Sequence, residues 1–150
     1  MKIEPKFNID QLFSDIGRKV NTLIEGVIEA MVKTCLEITT EAKQLNTYQD
    51  RTNNLRSSIG YVVYERGEKK AEHFTQSGVG AEGTGADGIA AGKAIAAQAA
   101  TEYPNDIVGV IVAGADYALY VESKGLDVLT GPCTKLYSTF EKNLRLVFGK

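Results

Sequence analysis

The stretch "RTNNLRSSIGYVVYERGEKK", residues 51–70, decides how this chain folds. Thr52 is placed to cap one helical turn through Leu55 and Arg56. From Ile59 the hydrophobic period changes to two, with Ile59, Tyr61 and Val63 on one face of a strand and Val62 and Tyr64 on the other. Gly67 in "ERGEKK" suits the positive φ of a tight turn. "KAEHFTQ" then reads as the return strand, and Lys69, Lys70 and Glu72 give it a charged edge that discourages stray pairing. A hairpin entered from a polar turn is expected near the middle of the chain.

Upstream of it lies a long amphipathic helix. Asn8, with Gln11 three residues later, has the form of an amino-terminal capping box. Ile9, Phe13, Ile16, Val20, Leu23 and Val27 recur at steps of four and three, which places them on one stripe. Ile24, Ile28, Met31, Cys35, Ile38 and Ala42 widen that stripe. Such breadth fits burial by the helix's own domain, or one surface against the domain and a second against another copy. Gly26 costs about 1 kcal/mol relative to Ala and marks a bend or a close approach.

Downstream, residues 77–102 change composition sharply. Gly78, Gly80, Gly83, Gly85 and Gly88 fall within one short loop, which is expected to be disordered in an isolated subunit because it has little to bury. An alanine-rich helix runs from about Ile89 to Glu102, and Pro104 punctuates its end. "DIVGVIVAG" is a strand continuous enough to be buried on both faces. Asp116 is placed to cap a short helix, "YALYVESK", that stops at Gly125. "TGPC" opens a last helix with Cys133, Leu136, Tyr137, Phe140, Leu144 and Val147 as its apolar stripe. Lys135, Lys142, Arg145 and Lys150 outnumber Glu141 there, a balance expected of a solvated face at a helix carboxyl end.

The chain has 150 residues, 43% of them hydrophobic, and a formal net charge of −2. This is the size of one domain, 1–150, able to bury roughly 70% of its unfolded surface. No apolar run approaches the ~20 residues of a membrane helix, and "MKIEPKFNIDQLF" lacks the pattern of a secretory signal. The two cysteines, Cys35 and Cys133, make no metal pattern and fit a reducing compartment. There is no basic field to hold a nucleic acid. A soluble intracellular domain is expected.

Residue by residue, little points to catalysis. Gly78, Gly80 and Gly83 satisfy G-x-G-x-x-G between a strand and a helix, which keeps open a small nucleotide-binding or nucleotide-modifying domain. Against it, glycines continue to Gly88, the preceding strand carries charges and a histidine, and no second half for a dinucleotide exists. "GIAAGKA" has neither the spacing of a phosphate loop nor a Ser or Thr after Lys93. His73 alternates with Glu72 across the strand, so the two face opposite ways. No nucleophile has a visible base, and no cofactor or metal site is expected.

Two stretches resemble a known family. "TNNLRSSI" is similar to the "TGxLRxSI" signature, and "ADYALYVES" to the "YAxYVEFG" segment, of the tail-component family of tailed double-stranded-DNA bacteriophages, also called neck or tail-completion proteins. Thr52, Leu55, Arg56, Ser58 and Ile59 match the first motif, and Tyr117, Ala118, Tyr120, Val121 and Glu122 the second. The family's Asp before Thr is Arg51 here, its Gly is Asn53, a residue that tolerates positive φ, and its Phe-Gly becomes Ser123-Lys124-Gly125. The family's order also resembles this one: long helix, Leu-Arg motif, hairpin, further strand, Tyr-Val-Glu helix, last helix.

The resemblance implies a non-enzymatic virion protein of a phage or prophage, assembled in the bacterial cytoplasm as a homo-oligomeric ring. It would join head-completion or connector proteins to the tail, with DNA passing through unbound. The fold expected is α+β, with the long amino-terminal and carboxy-terminal helices packed on a small, mainly antiparallel sheet. The other sheet face or the edges would serve assembly. Arg56 and Glu122 are expected either to pair, locking the two motifs together, or to project separately to solvent.

Overall fold

Asn8 starts helix α1, Ile9–Gln44, by accepting the Asp10 N–H on its side-chain oxygen at 2.9 Å. Gln11 does not complete the box; it donates to Asp15 Oδ1 at 3.2 Å instead. This is a computed structural model, and it describes Met1, residues 8–78 and residues 80–149. Residues 2–7, part of the stretch expected to carry no secretory signal, lie outside the described residues, as do Val79 and Lys150.

The later elements are α2 (Asn54–Ser58), β1 (Ile59–Glu65), β2 (Glu68–Phe74), α3 (Ala86–Ala100), β3 (Ile107–Ala113), α4 (Ala118–Ser123), α5 (Thr130–Cys133) and α6 (Leu136–Val147). The three strands form one sheet in the order β2-β1-β3, and β1 is antiparallel to both neighbours. Arg66 and Gly67 turn the hairpin with φ of 49° and 80°. Two successive left-handed residues match the right-handed twist of the strands they join.

Central β1 is buried on both faces, as its alternation demands. Tyr61 and Val63 pack with Ile111 against Met31, Val32 and Cys35 of α1. Val62 packs with Val110 and Val112 against Ala96 of α3. The architecture is therefore α+β, but both faces of the sheet are covered, so only its edges remain open. β3 is half-buried rather than fully buried, because it forms one of those edges.

The glycine- and alanine-rich composition now has a physical cause. Gly88, Gly92, Ala96 and Ala100 make the buried stripe of α3. A Cβ on Gly92 would lie 2.5 Å from the Ser58 carbonyl oxygen and 2.6 Å from the Phe74 ring. Only small residues let this helix approach the α2–β1 junction so closely.

The carboxy-terminal helix lies along α1. Lys135 pairs with Glu41 at 2.5 Å and Lys142 with Glu37 at 2.6 Å. Between them Asn143 is buried and donates to Thr34 Oγ1 and Glu37 Oε1, both at 3.1 Å. Tyr137, expected on the inner stripe, is 80% exposed. "TGPC" forms a separate turn, and α6 begins only at Leu136. At Gly26 a Cβ would meet the Phe148 ring at 2.6 Å, so that glycine marks a close approach.

Candidate functional site

The two family-like motifs meet in one apolar cluster. Leu55 and Ile59 pack with Ala118 and Val121, around Ala42, Tyr48 and Val128. Ser58 links them in polar fashion. Its hydroxyl donates to Leu55 O at 2.7 Å and accepts the Ala115 N–H at 3.0 Å. Tyr117 and Tyr120 remain 41% and 63% exposed, and Lys124 Nζ lies 5.0 Å from the centre of the Tyr120 ring.

Arg56 and Glu122 do not pair. Arg56 is buried; its Nη1 donates to Lys43 O, in the last turn of α1, and its guanidinium stacks over the Tyr48 ring at 4.9 Å. A cation there suits the negative end of the helix dipole. Glu122 turns the other way and caps α5. Its Oε1 accepts the N–H groups of Val128, Leu129 and Thr130 at 3.3, 2.7 and 2.9 Å, and its Oε2 accepts the Thr130 hydroxyl at 2.7 Å. Burial pushes this carboxyl up, but those donors outweigh it and hold the group below its ordinary value. Each motif thus stabilises its own backbone corner.

Asn53 takes the positive φ expected of it, and the polar contacts that organise the first motif leave no sign in the sequence. The cap position of α2 is held by Asn53, left-handed at φ 64°, rather than by Thr52. Thr52 Oγ1 is 3.4 Å from the Asn54 N–H, while Asp50 Oδ2 accepts the Arg56 N–H at 2.8 Å. This frees the Asn53 side chain, which accepts the Gly80 N–H at 2.5 Å and donates to the carbonyls of Gly80 and Gly83, both at 3.0 Å. Asn54 Oδ1 accepts the Gly88 N–H at 3.3 Å. The loop expected to find nothing to bind within one subunit is latched onto the Leu-Arg motif.

That latch bears on the nucleotide alternative. The Gly80 and Gly88 amides already serve Asn53 and Asn54, and Asp87 adds an acidic group to the first turn of α3. β2 and β3 run parallel across the α3 connection, but β1 lies between them. An open cleft of about 600 Å³ lies beside the latch, lined in part by Tyr48, Asp50, Arg51, Arg56 and Glu82. Arg51 and Glu82 pair across it at 3.0 Å, so it presents no uncompensated positive field.

The remaining candidates for chemistry have structural surroundings. Burial, with a smaller contribution from Cys133, pushes the Cys35 thiol up to about 12, so it is not a thiolate at neutral pH. His73 stacks on Tyr61 at 5.9 Å, while Glu72 pairs with Lys69 and Lys93 on the α3 side. No group of three or more His, Cys, Asp or Glu among the described residues is arranged to hold a metal. No helix among them is long and apolar enough to cross a membrane. Asp116 caps nothing: α4 follows Tyr117 without a side-chain cap.

The apolar stripe of α1 divides in two. Gly26, Ala30, Cys35, Ile38 and Ala42 are buried against the domain. Ile9, Phe13, Ile16, Val20 and Leu23 lie between 46% and 66% exposed. Residues 9–23, a helical arm about 22 Å long at ~1.5 Å per residue, thus present a continuous apolar surface. No family model, no curated protein and no solved structure matches this chain.

Proposed function

We propose that this chain is a structural component of a phage or prophage particle, a subunit of the neck or tail-completion ring that joins head to tail. The observation that carries this reading is the exposed apolar arm of α1. An isolated helix of this length is marginal in water, and a stripe of five large apolar side chains on it is stabilised by a partner surface. The paired family-like motifs supply the identity of the assembly. Their convergence in one cluster gives each a structural task, with no reaction to perform.

On this reading the ring's partners are head-completion or connector proteins on one side and tail proteins on the other. DNA passes without specific binding, consistent with the slight negative charge. The protein is not an enzyme, needs no cofactor, and resides in the neck of the virion after assembly in the host cytoplasm. Deleting its coding region from the phage or prophage tests this. Electron microscopy of the lysate should show DNA-filled heads and separate tails; joined, infectious particles would overturn it. A nucleotide-binding domain is the second reading, tested by thermal shift. A nucleotide at 100 times its dissociation constant stabilises its receptor by about 2.7 kcal/mol, and here no such shift is expected.

A further inference from the structure

The two edges of the sheet are unlike. β2 carries Glu68, Lys69, Lys70 and Glu72 and is irregular opposite Val63 and Tyr64, features that discourage pairing with another strand. β3, Ile107-Val-Gly-Val-Ile-Val-Ala113, carries no charge, no proline and no bulge.

Its hydrogen-bonding polarity follows from the ladder. Beyond one end of the β1–β3 pair Gly114 N–H donates to Ser58 O at 3.2 Å; beyond the other, Arg66 N–H donates to Asp106 O at 2.9 Å. Bonded and non-bonded pairs alternate in an antiparallel ladder. Val108, Val110 and Val112 therefore turn their backbone groups toward β1. Ile107, Gly109, Ile111 and Ala113 turn theirs outward, where they meet no partner among the described residues.

We infer that this edge pairs antiparallel with β3 of a second copy, about a two-fold axis through Val110. In that register Ile107 lies opposite Ala113 of the second copy and Gly109 opposite Ile111, so each large side chain on the α1 side meets a small one. On the α3 side Val108 faces Val112, and Val110 faces itself. Asp106 falls opposite Gly114, so no like charges meet. All the outward N–H and C=O groups of Ile107, Gly109, Ile111 and Ala113 gain partners, and two three-stranded sheets become one continuous sheet. A one-residue slip would turn the wrong faces together, and slips of two would set Ile against Ile. The pairing does not rest on the head–tail reading: a two-fold contact closes between two copies and is distinct from the head-to-tail contact that repeats around a polar ring.

Val110 of the two copies would form a non-hydrogen-bonded pair, with Cα atoms about 4.5 Å apart, within the span of a disulfide. The test is copper-phenanthroline oxidation of full-length V110C, V108C and V108C/V112C, each on a C133S background. V110C and V108C/V112C should give covalent dimers on a non-reducing gel, while V108C alone stays monomeric. The double variant reads the same register should V110C disturb the packing under α3. Absence of dimer from both, or equal cross-linking of V108C alone, overturns the inference.

Discussion

Asn53 grips Gly80 from both sides, its Oδ1 accepting the glycine N–H at 2.5 Å and its Nδ2 donating to the glycine C=O at 3.0 Å. The pairing spans 27 residues and fastens the glycine-rich loop to the start of α2. Asn is suited to it twice over: it tolerates the left-handed backbone at φ 64° and carries both a donor and an acceptor.

Asn53→Gly separates these two roles. The backbone conformation survives, but the latch is lost, at a cost of about 1–3 kcal/mol for the unpaired groups. Urea unfolding should show that loss, and amide exchange at Gly80 should accelerate. Unchanged exchange at Gly80 would mean that the loop is held by something else.

Two glycines in helices should answer oppositely to alanine. Gly17→Ala, in the exposed arm, adds a Cβ with nothing within 4 Å and should raise stability by up to about 1 kcal/mol through helix propensity. Gly92→Ala gains the same propensity but drives its Cβ against the Ser58 carbonyl and Phe74. Thermal melts should show the first variant above the parent and the second below it by about 1–3 kcal/mol, the usual range for overpacking.

Glu122 should make an acid limb in stability. Its folded carboxyl lies below the ordinary 4.5, so as pH falls the unfolded chain takes up this proton first. The stabilisation is complete above the unfolded value and is lost as pH falls through the folded one. Glu122→Gln should therefore lose stability at neutral pH, and the gap to the parent should narrow as pH falls through and below the ordinary 4.5. A gap that stays constant over that range would show that the carboxylate charge does not matter at α5.

What the sequence disclosed was periodic. The period-two run from Ile59, the three-and-four spacing of α1 and the alanine-rich composition of α3 pointed to the sheet and its two covering helices. What it hid was contact at a distance between short polar side chains. Asn53 with Gly80, Glu122 with Leu129, and Asn143 with Thr34 leave no periodic trace, because each depends on how loops fall back on the domain. Arg56 and Glu122 were expected either to pair across the two motifs or to project separately to solvent. Both groups instead found backbone partners at helix ends, where unpaired carbonyls and N–H groups are concentrated. For α1 the stripe was visible along its whole length, but only the fold shows where the domain stops covering it, near Leu23.

If the uncovered arm joins the particle together, purified protein should complete unjoined particles in vitro only while that arm stays apolar. A lysate of unjoined heads and tails from the deletion strain would receive purified wild-type protein or a Val20→Glu variant. Val20 is 46% exposed on the arm, so the variant should melt with the parent. Wild-type protein should restore plaque-forming particles, and the folded Val20→Glu protein should restore few or none. Equal restoration by both proteins would contradict that role of the arm.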